Sequence, residues 1–169
     1  SIYPELMNQL IAGGNIVSKN PSNPRFSHYI FESIGVILNY SNVEMLSALI
    51  EIMMPSFMHI LSEDIQEFIP YVFQILSFCI EKGSTVPASI KQLAQPLLAP
   101  SVWELKGNVP AVTRLLRAFI KTDASIFPDL IPVLGVFQRL IASKAYEVHG
   151  FELLEDIMFT VNLDVLRPY

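Results

Sequence analysis

An all-α fold is predicted by three features of the sequence. Apolar residues recur at helical spacing along almost the whole chain, strand alternation is almost absent, and helix-start signals return at a regular interval. From Leu46 the apolar positions continue through Leu49, Ile50, Met53, Phe57, Ile60 and Leu61. From Val112 they continue through Leu115, Leu116, Phe119 and Ile120, and from Val133 through Leu134, Val136, Phe137, Leu140 and Ile141.

The start signals divide the chain. Ser41 with Glu44, and Asp64 with Glu67, have capping-box spacing, in which each side chain satisfies a free backbone N–H. Thr85-Val86-Pro87-Ala88 and Asn108-Val109-Pro110-Ala111 each place a polar residue just before a proline, which the first helical turn accepts because its missing N–H costs nothing there. Ser125 precedes "IFPDLIPVL" in a similar way. Ser41 to Thr85 and Asp64 to Asn108 are each 44 residues, and Thr85 to Ser125 is 40. A recurrence of roughly 40 residues is the period of HEAT and armadillo arrays, whereas TPR and ankyrin arrays repeat every ~33–34. The expected architecture is an α-α superhelix of HEAT-type antiparallel helix pairs, about four repeats in all. Second helices are expected near 3–18, 42–62, 86–99, 125–144 and from about 163. First helices are expected near 24–40, 64–82, 108–121 and 147–160. The chain then reads as a single array, 1–169, with repeats at 1–20 (a second helix alone), 24–62, 64–99, 108–144 and 147–169, the last truncated. It opens on Ser1 without a start methionine and is expected to be a piece of a longer array.

Proline sharpens the boundaries. "NPSNP", residues 20–24, falls between one pair and the next, and each proline disfavours helix at the residue before it, so a stiff connector is expected there. Pro4, Pro55, Pro70, Pro96 and Pro132 fall inside or near helices and predict kinks held by neighbouring repeats, since an interior proline costs about 3 kcal/mol in an isolated helix. Gly13-Gly14 is expected to end or loosen the first helix.

Composition narrows the function. Hydrophobic residues make up 51% and charged residues 16%, an unusually apolar balance that suits a part of a larger assembly. The longest charge-free apolar run, Phe68 to Ile80, contains Gln74 and is shorter than the roughly 20 residues a membrane span needs, so no membrane insertion is expected. The net charge of −5 argues against nucleic acid as the main partner. Cys79 stands alone on an apolar helix, which fits a reducing compartment better than a secreted one and weighs against use of the Asn39-Tyr40-Ser41 sequon.

No convergent set of catalytic groups is legible. His28, His59 and His149 lie far apart in sequence and none stands at metal-ligand spacing with Cys79 or a carboxylate pair; each reads as a structural or surface histidine. Cys79 reads as a small buried hydrophobe, and Gly13-Gly14 is followed by no phosphate-loop lysine. No cofactor, no metal and no enzymatic activity are expected. Trp103 is expected to anchor a longer connector, with interface contact as the alternative. Met45, Met53, Met54 and Met58 read as core, with an adaptable partner surface as the alternative. Arg114, Arg117 and Lys121 form a basic stripe that reads as a solvated outer face.

Four stretches carry a family resemblance: "VSKNPSNPRFSHYIFESIG", "DIQEFIPYVFQILS", "GNVPAVTRLLRAFI" and "LGVFQRLIASKAYEVHGFELL". In this order, from about Val17 to Leu154, they resemble the CAS-type exportins, the importin-α re-exporters of the importin-β superfamily, in their C-terminal half. The resemblance implies a HEAT-repeat receptor that shuttles between nucleus and cytoplasm. Such a receptor binds Ran-GTP together with importin-α, passes nuclear pore components, and releases importin-α after GTP hydrolysis. A generic HEAT scaffold or regulatory subunit without Ran binding is the alternative.

In that superfamily the second helices line the concave side. The resemblance therefore makes their polar residues the candidate contacts: Glu51, His59, Lys91, Gln92, Gln95, Gln138, Arg139 and Lys144. Arg139, Lys144, Lys91, Gln92 and Glu51 lead that set. On the helix "IPVLGVFQRLIASKA" the buried stripe is expected at Leu134, Phe137, Leu140 and Ile141, with Arg139 and Lys144 off it and about 140° apart. Ile2, Leu6, Leu10 and Ile11 at one end, and Leu163, Val165 and Leu166 at the other, are expected to make the isolated chain self-associate.

Overall fold

The computed structural model describes residues 2–18 and 24–167, and within them every regular element is helical. The chain divides into two compact units, residues 1–83 and 84–169.

Unit 1 contains α1 (Tyr3–Ser18), α2 (Pro24–Tyr40), α3 (Val43–Ser62) and α4 (Ile69–Gly83). α1 packs on both α2 and α3, α3 packs on α4, and α2 touches α4. The stripe legible from Leu46 onward is the core face of α3: Leu46, Leu49, Ile50, Met53, Met54, Phe57 and Ile60 are buried. Against the expected absence of any such segment, α3 is long and apolar enough to cross a membrane by length and composition, because Glu44 and Glu51 interrupt the run without cancelling its hydropathy. Its buried apolar face serves the core of unit 1.

The cap of α3 differs from the expected capping box. Asn42 Oδ1 accepts a hydrogen bond from the Met45 N–H at 2.8 Å, while the Ser41 hydroxyl donates backward to the Leu38 carbonyl. The start expected near 64 is also displaced. Asp64 takes a left-handed backbone, φ 53°, just after α3 ends and accepts a bond from Gln66, so α4 begins only at Ile69. Gly13 and Gly14 do not end α1 but lie inside it, where Ile30 of α2 would stand 3.5 and 3.8 Å from an added Cβ. Pro4 and Pro70 fall in first turns, so of the expected kinking prolines only Pro55 lies in a helix interior. The expected connector at residues 20–23 lies outside the described residues.

Unit 2 is less regular. The expected helix over 86–99 is a four-residue helix α5 (Ala88–Lys91), a 3-10 turn at Pro96–Leu98 and a second at Pro100–Trp103. Trp103 holds this stretch together: its indole is buried and Nε1 donates to the Leu97 carbonyl at 2.7 Å. α6 (Val109–Asp123) begins with Pro110 in its first turn and buries Val112, Leu115, Leu116 and Phe119. The expected start near 125 is a 3-10 turn, Ala124–Ile126, and α7 (Ile131–Ile141) follows, its first turn closed by a bond from the Ile131 N–H to Asp129 Oδ1. α8 (Glu147–Thr160) packs on both α6 and α7, and the short α9 (Leu163–Leu166) ends the described chain.

The buried stripe of α7 is rotated from the expected one: Val133, Val136 and Leu140 are buried, Leu134 and Phe137 are half-buried, and Ile141 is exposed. α7 and α8 cross closely at Gly150, where an added Cβ would stand 2.8 Å from Ile141 Cγ2 and 3.1 Å from Leu140 Cβ. A side chain at Gly150 would force Ile141 or the crossing itself to shift.

Candidate partner-binding surface

The candidate contact residues fall into three groups by environment. Glu51 and His59 are exposed on α3 in unit 1, and the His59 carbonyl accepts the C-terminal cap bond from the Glu63 N–H. Lys91, Gln92 and Gln95 belong to the irregular stretch of unit 2 and are exposed, each with a contact inside the unit. Lys91 Nζ lies 3.8 Å from Asp123 at the end of α6, Gln92 donates to the Ser89 carbonyl at 2.7 Å, and Gln95 donates to the Ile126 carbonyl at 3.4 Å. Only the Ser89 carbonyl lies within 86–99, where a regular helix would have satisfied it with its own backbone; the other two contacts tie the stretch to the end of α6 and the turn after it.

Gln138 and Arg139 are exposed on α7. Lys144 is exposed too, but α7 ends at Ile141, so it sits in the turn before α8 and the expected helical angle between Arg139 and Lys144 does not apply. That turn is pinned by Tyr146, whose hydroxyl donates to the Lys106 carbonyl at 2.9 Å.

The sequence reading missed an ionic cluster. Arg117, assigned to a solvated stripe, reaches from α6 to α8, where Nε donates to Asp156 Oδ2 at 2.5 Å and Nη1 to Glu152 Oε2 at 2.6 Å. Lys121 Nζ lies 3.8 Å from Asp156 Oδ1, and His149 Nδ1 lies 3.4 Å from Glu152 Oε2. Asp156 is buried, so these partners satisfy a carboxylate largely shielded from water. A signal existed: Arg117 and Lys121 stand four residues apart on one helix, and Glu152 and Asp156 four apart on the other.

Unit 1 carries an aromatic counterpart. Phe31 of α2 stacks on Tyr71 of α4 with centroids 4.8 Å apart, and His28 Nδ1 lies 3.1 Å from the Tyr71 hydroxyl. Between these helices runs a groove of about 420 Å³ walled by Glu32, Gly35, Tyr71, Gln74 and Phe78. Cys79 is fully buried, and burial pushes its thiol up to about 12 against the weaker opposite pull of Lys82, so it stays protonated and a poor nucleophile at neutral pH. Among the described residues no group of three or more His, Cys, Asp or Glu is placed to hold a metal.

Stacked antiparallel helix pairs presenting grooves and polar surface side chains define a binding scaffold of the HEAT-repeat class. The chain belongs to the CAS/CSE family: the family described as CAS/CSE protein, C-terminus, matches residues 1–169. It is 67% identical to the importin alpha re-exporter of Saccharomyces cerevisiae over 99% of this chain and 18% of that protein. It is 45% identical to the importin-alpha re-exporter of Schizosaccharomyces pombe, over 90% of this chain and 17% of the relative. It is 44% identical to exportin-2 of Homo sapiens, over 92% and 17%. A solved structure of the exportin Cse1 in its cargo-free, cytoplasmic state superposes with a TM-score of 0.97 at 67% identity, covering 99% of this chain and 18% of that one. The chain thus spans less than a fifth of the length of these relatives.

Proposed function

We propose that the chain is part of a nuclear export receptor that binds importin-α together with Ran-GTP and returns importin-α from nucleus to cytoplasm, passing nuclear pore components on the way. The 67% identity to a yeast importin alpha re-exporter, sustained over 99% of the chain, carries this reading. The geometry is consistent with it, because helix-pair arrays bind partners over extended surfaces rather than in one deep site. In this reading the chain contributes repeats at 24–62, 64–99, 108–144 and 147–169. Its own part is to hold the curvature of a longer superhelix and to offer contacts spread along it.

All five leading contact residues are exposed, and Lys91 and Gln92 also hold contacts within unit 2. Exposed cations act through steering and register, so their effect on assembly should weaken as salt rises.

The test is a segment exchange. This chain replaces the matching segment of the yeast importin alpha re-exporter, and capture of importin-α with and without Ran held on GTP is measured. Cooperative capture of both partners at near-native affinity is the expected result. A folded chimera that captures neither would overturn the reading. Arg139→Glu and Lys144→Glu in that chimera, measured at two salt concentrations, decide whether this end of α7 belongs to the contact surface.

A further inference from the structure

Arg117 of α6 donates to Glu152 of α8, 35 residues further on, and to Asp156, 39 further on. Lys121 lies 3.8 Å from Asp156, again 35 residues further on. The pairing advances by four residues on both helices, so α6 and α8 run parallel and the same spacing returns at each turn. A carboxylate on this face of α8 is therefore level with two residues of α6, one 35 and one 39 before it. Asp156 engages both, Lys121 and Arg117. Glu152 engages Arg117, and the other residue level with it is Thr113.

Thr113 is 1% exposed, and its hydroxyl has no hydrogen-bond partner among the described residues. A hydroxyl shut away from water without an acceptor costs free energy, and this one stands at the next step of an ionic ladder. Glu152 has the capacity to accept from it. Arg117 Nη1 and His149 Nδ1 both meet its Oε2, at 2.6 and 3.4 Å, and a carboxylate offers about four lone pairs. Its side chain is 40% exposed, so other staggered rotamers are open to it.

We propose that Glu152 is a two-position latch between α6 and α8. Outward, as the structure shows it, the carboxylate is shared by Arg117 and His149, and the ladder stops at Arg117. Turned inward, it keeps Arg117, gives up His149 and accepts from the Thr113 hydroxyl. The ladder then runs one turn further toward the starts of both helices. α6 and α8 are first helices of successive repeats, and each repeat of such an array contacts only its neighbours, so the junction between them is one of the settings of the array's curvature. The latch gives that junction two states, one closed along a further turn and one open there.

The test is a double-mutant cycle of the chain read by denaturant titration. Thr113→Val removes the hydroxyl and keeps the shape, and Glu152→Met removes the carboxylate. With Glu152 present, Thr113→Val should lower the unfolding midpoint, because it breaks the inward bond. In the Glu152→Met background it should raise the midpoint, because it then removes a buried hydroxyl that has lost its acceptor. Hydrogen exchange supplies a second reading that needs Thr113→Val alone, so the test stands even where Glu152→Met does not fold. The amides of Phe151 and Glu152 should exchange faster in Thr113→Val, while those of Asp156 and Ile157, beside the Arg117 bond, keep their wild-type rates. A midpoint raised in both backgrounds would show that the hydroxyl never meets Glu152. A midpoint lowered equally in both would assign it another acceptor, and unchanged or uniformly faster exchange along α8 would remove the latch; each of these results overturns the proposal.

Discussion

Unit 1 and unit 2 are nearly equal in length and solve the same packing problem in different ways. Unit 1 uses four long helices, and its cross-helix contacts are mostly apolar or aromatic, such as Phe31 against Tyr71, Phe57 and Phe68. Two polar contacts pin α2 to α4 there: His28 with the Tyr71 hydroxyl, and Lys82, which donates to the Leu38 and Asn39 carbonyls at the C-terminal end of α2, where a cation also suits the helix dipole. Unit 2 breaks one expected helix into a single turn and two 3-10 turns, held by the Trp103 bond to Leu97, and it is threaded by long-range polar bonds from Gln95, Arg117 and Tyr146. The difference follows from backbone chemistry. A helix satisfies its own N–H and C=O groups, so its packing can be left to apolar faces, whereas irregular backbone needs side chains to satisfy it.

The comparison breaks most clearly at Trp103. Trp103→Ala removes a buried indole and leaves the Leu97 carbonyl without its donor, and it should destabilise unit 2 by roughly 3–5 kcal/mol. Phe57→Ala in unit 1 should cost a similar amount by cavity formation alone. The conservative changes separate the two: Trp103→Phe should still cost about 1–3 kcal/mol for the lost bond, while Phe57→Leu should be tolerated better than Phe57→Ala. Denaturant titrations of all four variants decide this, and equal tolerance of Trp103→Phe and Phe57→Leu would remove the distinction.

Arg117 comes next. Arg117→Met leaves buried Asp156 with only Lys121 at 3.8 Å, and a loss of about 2–3 kcal/mol is expected, below the full cost of a deeply buried pair because Arg117 and Glu152 are partly exposed. Adding Asp156→Leu should restore most of the loss, since an apolar pair replaces an ionic one. A double variant no more stable than Arg117→Met would show that the carboxylate is not what makes the single change costly.

Cys79 gives unit 1 an alkaline sensitivity. Its thiol ionises near 9.0 when unfolded and is raised to about 12 in the fold, so above pH 9 the unfolded chain releases a proton that the folded one retains. Stability is therefore unaffected below pH 9 and falls as pH rises toward 12, by about 1 kcal/mol at pH 10. Cys79→Ala should flatten that slope in melts from pH 8 to pH 10.5, even though it lowers stability at neutral pH by opening a small cavity. An unchanged slope would assign the alkaline loss to other groups.

The smallest effect is expected at two turn residues. Asp64 and Ser84 both hold left-handed backbone, φ 53° and 56°, just past the ends of α3 and α4. Ser84→Gly should stabilise by about 0.5–1 kcal/mol and Asp64→Gly by less, because aspartate enters that region more readily than serine and glycine raises the entropy of the unfolded chain. Thermal melts showing Asp64→Gly to be the more stabilising of the two would reverse this ordering.

The sequence by itself determined that the chain is helical, where the strongest stripes lie, and which family it resembles. The core face of α3 and the buried face of α6 coincide with the apolar positions legible from Leu46 and Val112, because helical period is a local property that a dozen neighbouring residues specify. Pro110 marked the start of α6 for an equally local reason, the missing N–H that a first turn does not need.

Only the tertiary structure decided which apolar positions face the core and which polar side chains find distant partners. In α7 the run Val133, Leu134, Val136, Phe137, Leu140 and Ile141 is wide enough for two faces, and packing on α8 at Gly150 selects Val133, Val136 and Leu140 for burial. Asp64 turned left-handed and α4 started at Ile69, although the spacing of Asp64 and Glu67 suited a capping box. Arg117 looked solvated because its partners Glu152 and Asp156 lie 35 and 39 residues away. A local pattern states what a segment can bury or cap; which of those possibilities is realised depends on the surface that arrives from elsewhere in the chain, and that surface exists only once the helices have packed.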